Sequence, residues 1–131
     1  MATYRSAQEF AARFSGPPTS VDGRFEFPVE RYLLSRGDAY AASYIPEAFV
    51  CLSESIDAHR VDPRRIHAPV TLVAVREDQI VPLADMQALK SKLAGPAKLI
   101  ELPSLYGHDA FLKEIEALAH VFSTDLIEDA T

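Results

Sequence analysis

The apolar positions along the chain change period near residue 62. Downstream of it, Val70 to Val75 (VTLVAV) is a continuous apolar, β-branched run. That is the pattern of a strand buried in a parallel sheet. Leu83, Met86, Leu89 and Leu93 then recur at helical spacing, and Gly95-Pro96 ends the helix. Lys98 to Leu102 predicts the next strand. A last helix from about Asp109 to Leu126 would put Phe111, Leu112, Ile115, Leu118, Ala119 and Phe122 on one inward face. Upstream, the pattern is helical and irregular. Ser6 and Glu9 have capping-box spacing ahead of a helix over Ala7–Phe14, in which Phe10 and Phe14 share a face. Ser15 to Gly23 reads as a loop, and a short helix is expected from Pro28 to Gly37. A third helix over Pro46–Ala58 carries Ala48, Phe49, Leu52 and Ile56 at helical spacing. Asp62-Pro63 breaks the chain, so the expected organisation is a helical segment over 1–62 and a strand–helix–strand–helix unit over 63–131, an α/β arrangement.

Composition narrows the possibilities without changing that picture. The 131 residues are one domain's worth of chain, and 48% hydrophobic with 24% charged residues is ordinary for a globular protein. A net charge of −6 argues against general nucleic-acid binding, and Arg64–Arg65 is the only tight basic pair. Cys51 is the single cysteine, which excludes an intrachain disulfide and a cysteine-based zinc site. No apolar run approaches the roughly 18 residues of a membrane-spanning helix. The N-terminus does not read as a signal peptide, so the expectation is a cytoplasmic protein without membrane contact.

Candidate chemistry follows from the topology. Two parallel strands joined by a helix end at the same sheet edge, where sites form in open α/β folds. Asp78 lies three residues past the first strand and His108 six past the second. A carboxylate beside an imidazole fixes its tautomer and stabilises the imidazolium during proton transfer. The structural alternatives are a turn aspartate and a solvated histidine. No metal site is expected from His59, His67, His108 and His120, whose spacings fit no ligand pattern.

The local sequences are more specific. Val75 to Pro82 (VREDQIVP) and Tyr106 to Leu112 (YGHDAFL) resemble the acid loop and the histidine loop of the α/β-hydrolase fold. More narrowly they resemble the homoserine O-acetyltransferase family. Thr3–Phe14 (TYRSAQEFAARF) and Gly23–Leu33 (GRFEFPVERYL) resemble that family's lid segments, so the likeness covers nearly the whole chain. It implies the C-terminal part of an α/β-hydrolase fold preceded by a helical lid, and a ping-pong acyl transfer. A serine would take an acyl group from acetyl-CoA or succinyl-CoA, as co-substrate rather than bound cofactor, and pass it to L-homoserine in methionine biosynthesis. His108 would be the general base, Asp78 its orienting carboxylate, and Asp109 the group that holds the substrate amine. Asp109 also reads as the N-cap of the last helix, and the two roles are compatible. Tyr4 matches a lid tyrosine or packs in the core. Where the family carries asparagine, serine and tyrosine on its third lid helix, this chain has Glu47, Ala48 and Phe49.

The nucleophile is missing from this pattern. None of Gly16, Gly23, Gly37, Gly95 and Gly107 brackets a serine as in the G-x-S-x-G elbow. The expectation is a chain that is inactive alone and associates, either with itself or with an N-terminal part that bears the serine. Serine or homoserine O-succinyltransferases share the scaffold and remain open. So do an esterase of the same fold and a non-enzymatic interaction domain.

Overall fold

The computed structural model describes residues 4–128, with side chains through residue 124. The chain forms two compact units, Met1–Glu9 with Asp62–Thr131, and Phe10–Val61. The expected 1–62 segment therefore divides after Glu9. The reason is a set of hydrogen bonds that hold Tyr4 and Ser6 to residues 105–109, described below.

The first unit is mixed α/β. Strands β3 (Val70–Val75) and β4 (Ala97–Leu102) pair in parallel, and α4 (Leu83–Lys92) packs on both. The register runs from Val70 opposite Ala97 to Val75 opposite Leu102, so both strands end level. The helix expected over Leu83–Leu93 and both strands match the sequence pattern to within a residue. Ala74 and Ala110 are the fully buried apolar residues among those described, while most of the strand side chains are half-buried. A two-stranded sheet is too narrow to cover a long helix. Phe111, Leu112, Ile115 and Phe122, expected to face inward, are accordingly 57–69% exposed.

The last helix is also not continuous. A 3₁₀ turn over Gly107–Asp109 leads into α5 (Ala110–Lys113), and α6 (Ile115–Glu128) follows after a break at Glu114. Periodicity does not register such a break, because one non-helical residue (Glu114, φ −92°, ψ 52°) shifts the apolar face only slightly.

The second unit holds α2 (Pro28–Ser43), α3 (Pro46–Ala58) and a short antiparallel hairpin, β1 (Thr19–Val21) with β2 (Arg24–Glu26). The hairpin replaces the expected loop. Its turn, Asp22-Gly23, has positive φ at both positions (49° and 78°), as a primed two-residue turn requires, and Asp-Gly is the favoured pair. Helix α2 runs through Gly37 instead of stopping there. A mid-helix glycine costs only about 1 kcal/mol, and Ala41 and Ala42 beyond it are strong helix formers. α3 has the expected bounds. α1 (Ala7–Arg13) starts in one unit and ends in the other. Phe10, Phe14 and Tyr32 cluster with ring centroids 5.1–6.5 Å apart, under the Arg13 guanidinium. No helix of the described residues is long and apolar enough to cross a membrane.

Gly95 is a position where a side chain has no room. Its N–H and that of Ala94 both donate to the Ile66 carbonyl, at 3.0 and 3.1 Å, and a Cβ would collide with the His67 carbonyl. Gly95→Ala should therefore lower stability by about 1–3 kcal/mol. Urea unfolding of the two chains measures the difference, and an unchanged midpoint would contradict the packing described.

Candidate active site

The level ending of β3 and β4 fixes where two loops begin. The Arg76 N–H makes a last ladder bond to the Leu102 carbonyl at 3.1 Å. Beyond it, residues 76–82 and 103–109 leave the sheet at the same edge. The first loop is organised by Asp78. Its Oδ1 accepts the Ile80 and Val81 N–H groups at 2.8 and 3.0 Å, an Asx-type turn. Its Oδ2 lies 2.8 Å from His108 Nδ1. The turn-aspartate reading and the imidazole-partner reading thus describe two oxygens of one carboxylate.

Asp78 is well covered, its side chain 9% accessible against 28% for His108. Burial pushes the Asp78 carboxyl up. The Val81 N–H, the His108 ring and the Ile80 N–H together outweigh it and hold the group below its ordinary value. An ionised carboxylate only accepts hydrogen bonds, so the proton between the two side chains resides on His108 Nδ1. The lone pair of the ring is then on Nε2, the nitrogen turned away from Asp78.

The histidine loop is held from two sides. On one, Glu77 Oε2 accepts the Ser104 N–H at 2.7 Å, and Ser104 Oγ donates to Glu114 Oε1 at 2.7 Å. On the other lies the segment Tyr4–Ser6. Ser6 Oγ donates to the Leu105 carbonyl at 2.5 Å and accepts the Glu9 N–H at 3.1 Å, and the Asp109 N–H donates to the Tyr4 carbonyl at 3.2 Å. Gly107 permits this approach. It has φ +59°, and a Cβ would stand 3.1 Å from both Ser6 N and the Tyr4 carbonyl oxygen. The Ser6 side of the expected capping box is present, since Ser6 Oγ caps the Glu9 N–H. The Glu9 carboxylate meets Arg5 Nη1 at 3.3 Å.

Around the imidazole, the Tyr4 ring sits edge-on with centroids 5.3 Å apart, and Phe111 likewise at 5.9 Å. Tyr4 is 43% exposed, so it is a neighbour of His108 rather than a core residue. Asp109 makes no side-chain cap to α5. Its Oδ2 receives the Arg5 Nε–H at 2.5 Å, and Arg5 also lies over the Tyr106 ring, 5.6 Å from its centroid. The N-cap role is thereby replaced by an ion pair across 104 positions of sequence. Local spacing carries no signal for the Arg5–Asp109 and Glu77–Ser104 contacts of this cluster, because their partners lie 104 and 27 positions apart. The Arg5–Glu9 pair has a readable i, i+4 signature.

Two buried serines adjoin the loops, Ser6 and Ser104. Both give their hydroxyl protons elsewhere, to Leu105 and Glu114, and not to His108. Among the described residues, no group of three or more histidine, cysteine, aspartate or glutamate side chains is arranged to hold a metal ion.

No family model matches the chain. Individual proteins do. A homoserine O-succinyltransferase of Xanthomonas campestris is 43% identical over 126 residues, covering 96% of this chain and 34% of the relative. Homoserine O-acetyltransferases of Mycobacterium marinum (32% identical, 95% of this chain, 36% of the relative) and Trichormus variabilis (31%, 92% and 35%) match over a similar extent. The chain spans about a third of the length of these curated relatives. The resemblance drawn from the acid, histidine and tyrosine-arginine-serine segments is thus a homology along nearly the whole chain, and the chain belongs to the homoserine O-succinyltransferase and O-acetyltransferase family over the third of its members that it matches.

Proposed function

We propose that Asp78 and His108 are the acid and base of a Ser-His-Asp acyltransferase site, on the last two strand–helix units of an α/β-hydrolase sheet, and that the serine lies outside these 131 residues. The observation that carries this reading is the 2.8 Å contact between His108 Nδ1 and an Asp78 carboxylate already anchored by two backbone N–H groups. That anchoring leaves Asp78 one geometry in which to hold the ring, and it leaves Nε2 as the base.

The chemistry balances in two halves. His108 Nε2 takes the serine hydroxyl proton as the serine oxygen attacks the thioester carbon of an acyl-CoA. The tetrahedral intermediate collapses, the C–S bond breaks, and the proton returns to the departing thiolate. His108 then takes the proton of the L-homoserine hydroxyl, whose oxygen attacks the acyl-enzyme. The serine leaves with that proton, and the O-acyl amino acid is released. Asp78 stabilises the imidazolium in both halves. Asp109, next to the base, holds the substrate ammonium through its carboxylate while Arg5 orients it. The higher identity to a succinyltransferase (43% against 31–32%) favours succinyl-CoA over acetyl-CoA as donor. The exposed apolar residues of α5 and α6 support association with the serine-bearing part.

Three measurements test this. The chain alone should release thiol from succinyl-CoA plus L-homoserine no faster than its His108→Ala variant, since loss of the nucleophile costs on the order of 10⁶ in turnover. Faster release from the unmodified chain would place a nucleophile within it. When this chain replaces the matching third of the Xanthomonas campestris enzyme, the chimera should transfer the acyl group. His108→Ala should then lower turnover by roughly 10⁶ and Asp78→Asn by roughly 10⁴. A chimera whose turnover survives His108→Ala sinks the reading. The third measurement concerns pH. Because the folded state holds the Asp78 carboxyl below its unfolded value of about 3.9, its contribution to stability is complete above that value. The contribution is lost as the pH falls through the lower folded value. The stability gap between the parent and Asp78→Asn should therefore be widest above about pH 5 and narrow toward about pH 2. A gap that does not change on acidification would contradict an ionised Asp78.

A further inference from the structure

We infer that Glu77 is a positioning residue for this site, holding the His108 loop in register with Asp78. The inference rests on the acid–base reading above and deepens it. In a parallel ladder, donors and acceptors alternate along each strand. After the Arg76 N–H has bonded the Leu102 carbonyl, the next donor along the β4 side is the Ser104 N–H. It goes not to a backbone carbonyl but to Glu77 Oε2, at 2.7 Å. A side-chain carboxylate thus continues the ladder by one bond past the point where the two backbones part. The N–H to carboxylate bond is charge-assisted and short, and Ser104 is 5% exposed, which protects it from water.

Ser104 is where this bond becomes useful to His108. Its Oγ accepts the Tyr106 N–H at 3.2 Å and donates to Glu114 Oε1 at 2.7 Å, and its carbonyl accepts the Gly107 N–H at 3.3 Å. These bonds make residues 104–107 a closed turn that moves as one piece, with His108 directly after it. Glu77 is covalently next to Asp78. Hence the carboxylate that orients the imidazole and the turn that carries the imidazole are tied to each other through one neighbouring side chain. Without Glu77, the 2.8 Å Asp78–His108 bond would be the remaining one of the two hydrogen bonds described here between these loops.

The test is proton NMR of the full chain, following the low-field resonance of the His108 Nδ1–H. Asp78→Asn serves as the control and should abolish or strongly shift that resonance. Glu77→Ala should speed its exchange with water about tenfold or more, as loss of a charge-assisted hydrogen bond permits. Glu77→Gln keeps an acceptor oxygen for the Ser104 N–H without the charge, so it should fold where the alanine variant does not and show an intermediate exchange rate. Amide protection in β3 and β4 should match the parent in the glutamine variant. If Asp78→Asn removes the resonance while Glu77→Gln, and Glu77→Ala where it folds, leave the exchange rate at the parent's value, the role of Glu77 is overturned and the acid–base pair stands. If Asp78→Asn leaves the resonance unchanged, the pair itself falls, and the role of Glu77 falls with it.

Discussion

The level ending of the β3–β4 ladder at Val75 and Leu102 is the constraint on which the site depends. With both strands stopping at one edge, two loops start side by side, and side chains 30 positions apart can come within 2.8 Å. A shift of register by one residue would turn every strand side chain to the other face and move one loop along the edge relative to the other. The packing that protects the register is modest. α4 covers both strands, and the close approach of Gly95 to residues 66 and 67 closes the crossover. The stability of this small sheet and the geometry of the Asp78–His108 pair are therefore one problem.

Around that edge the structure uses carboxylates in three different ways. Asp78 divides its two oxygens between its own loop and the imidazole. Glu77 extends the ladder to Ser104. Asp109 faces Arg5, which also meets Glu9 and the Tyr106 ring. The Asp78–His108, Glu77–Ser104 and Asp109–Arg5 contacts are all part-buried, so these carboxylates are positioned by geometry rather than by weak surface attraction. The Tyr4–Ser6 segment adds a second wall. It is pinned by Ser6 and by the Tyr4 carbonyl, and the glycine at position 107 leaves it room, since a Cβ there would stand 3.1 Å from Ser6 N and from the Tyr4 carbonyl oxygen.

Most regular elements were legible in the residue pattern, for reasons that are local. VTLVAV, the 83–93 periodicity and the Pro46 start each state their own conformation within a short window. Two of the misses were local in origin. The Asp22-Gly23 hairpin carried a signal that the surrounding Pro, Gly and Ser content obscured. Gly37 was a helix stop by residue type, but the helix formers after it outweighed a single glycine. The break at Glu114 is not local in this sense, since Ser104, whose hydroxyl meets that side chain, is ten positions upstream and outside the helix.

The same division separates the two levels of this protein. Residue types and their spacing were sufficient for the α/β alternation, for Asp78 and His108 as a candidate pair, and for the family, because periodicity and short motifs are local in sequence. The partners of that pair were not accessible in this way. That Arg5 takes the Asp109 carboxylate, that Glu77 takes the Ser104 N–H, and that Tyr4 lies against His108 depend on two loops and an N-terminal segment meeting in space. Contacts between residues far apart in sequence leave no periodic trace. They are decided by strand register, by the φ of Gly107 and by which donors the ladder leaves unpaired at its end.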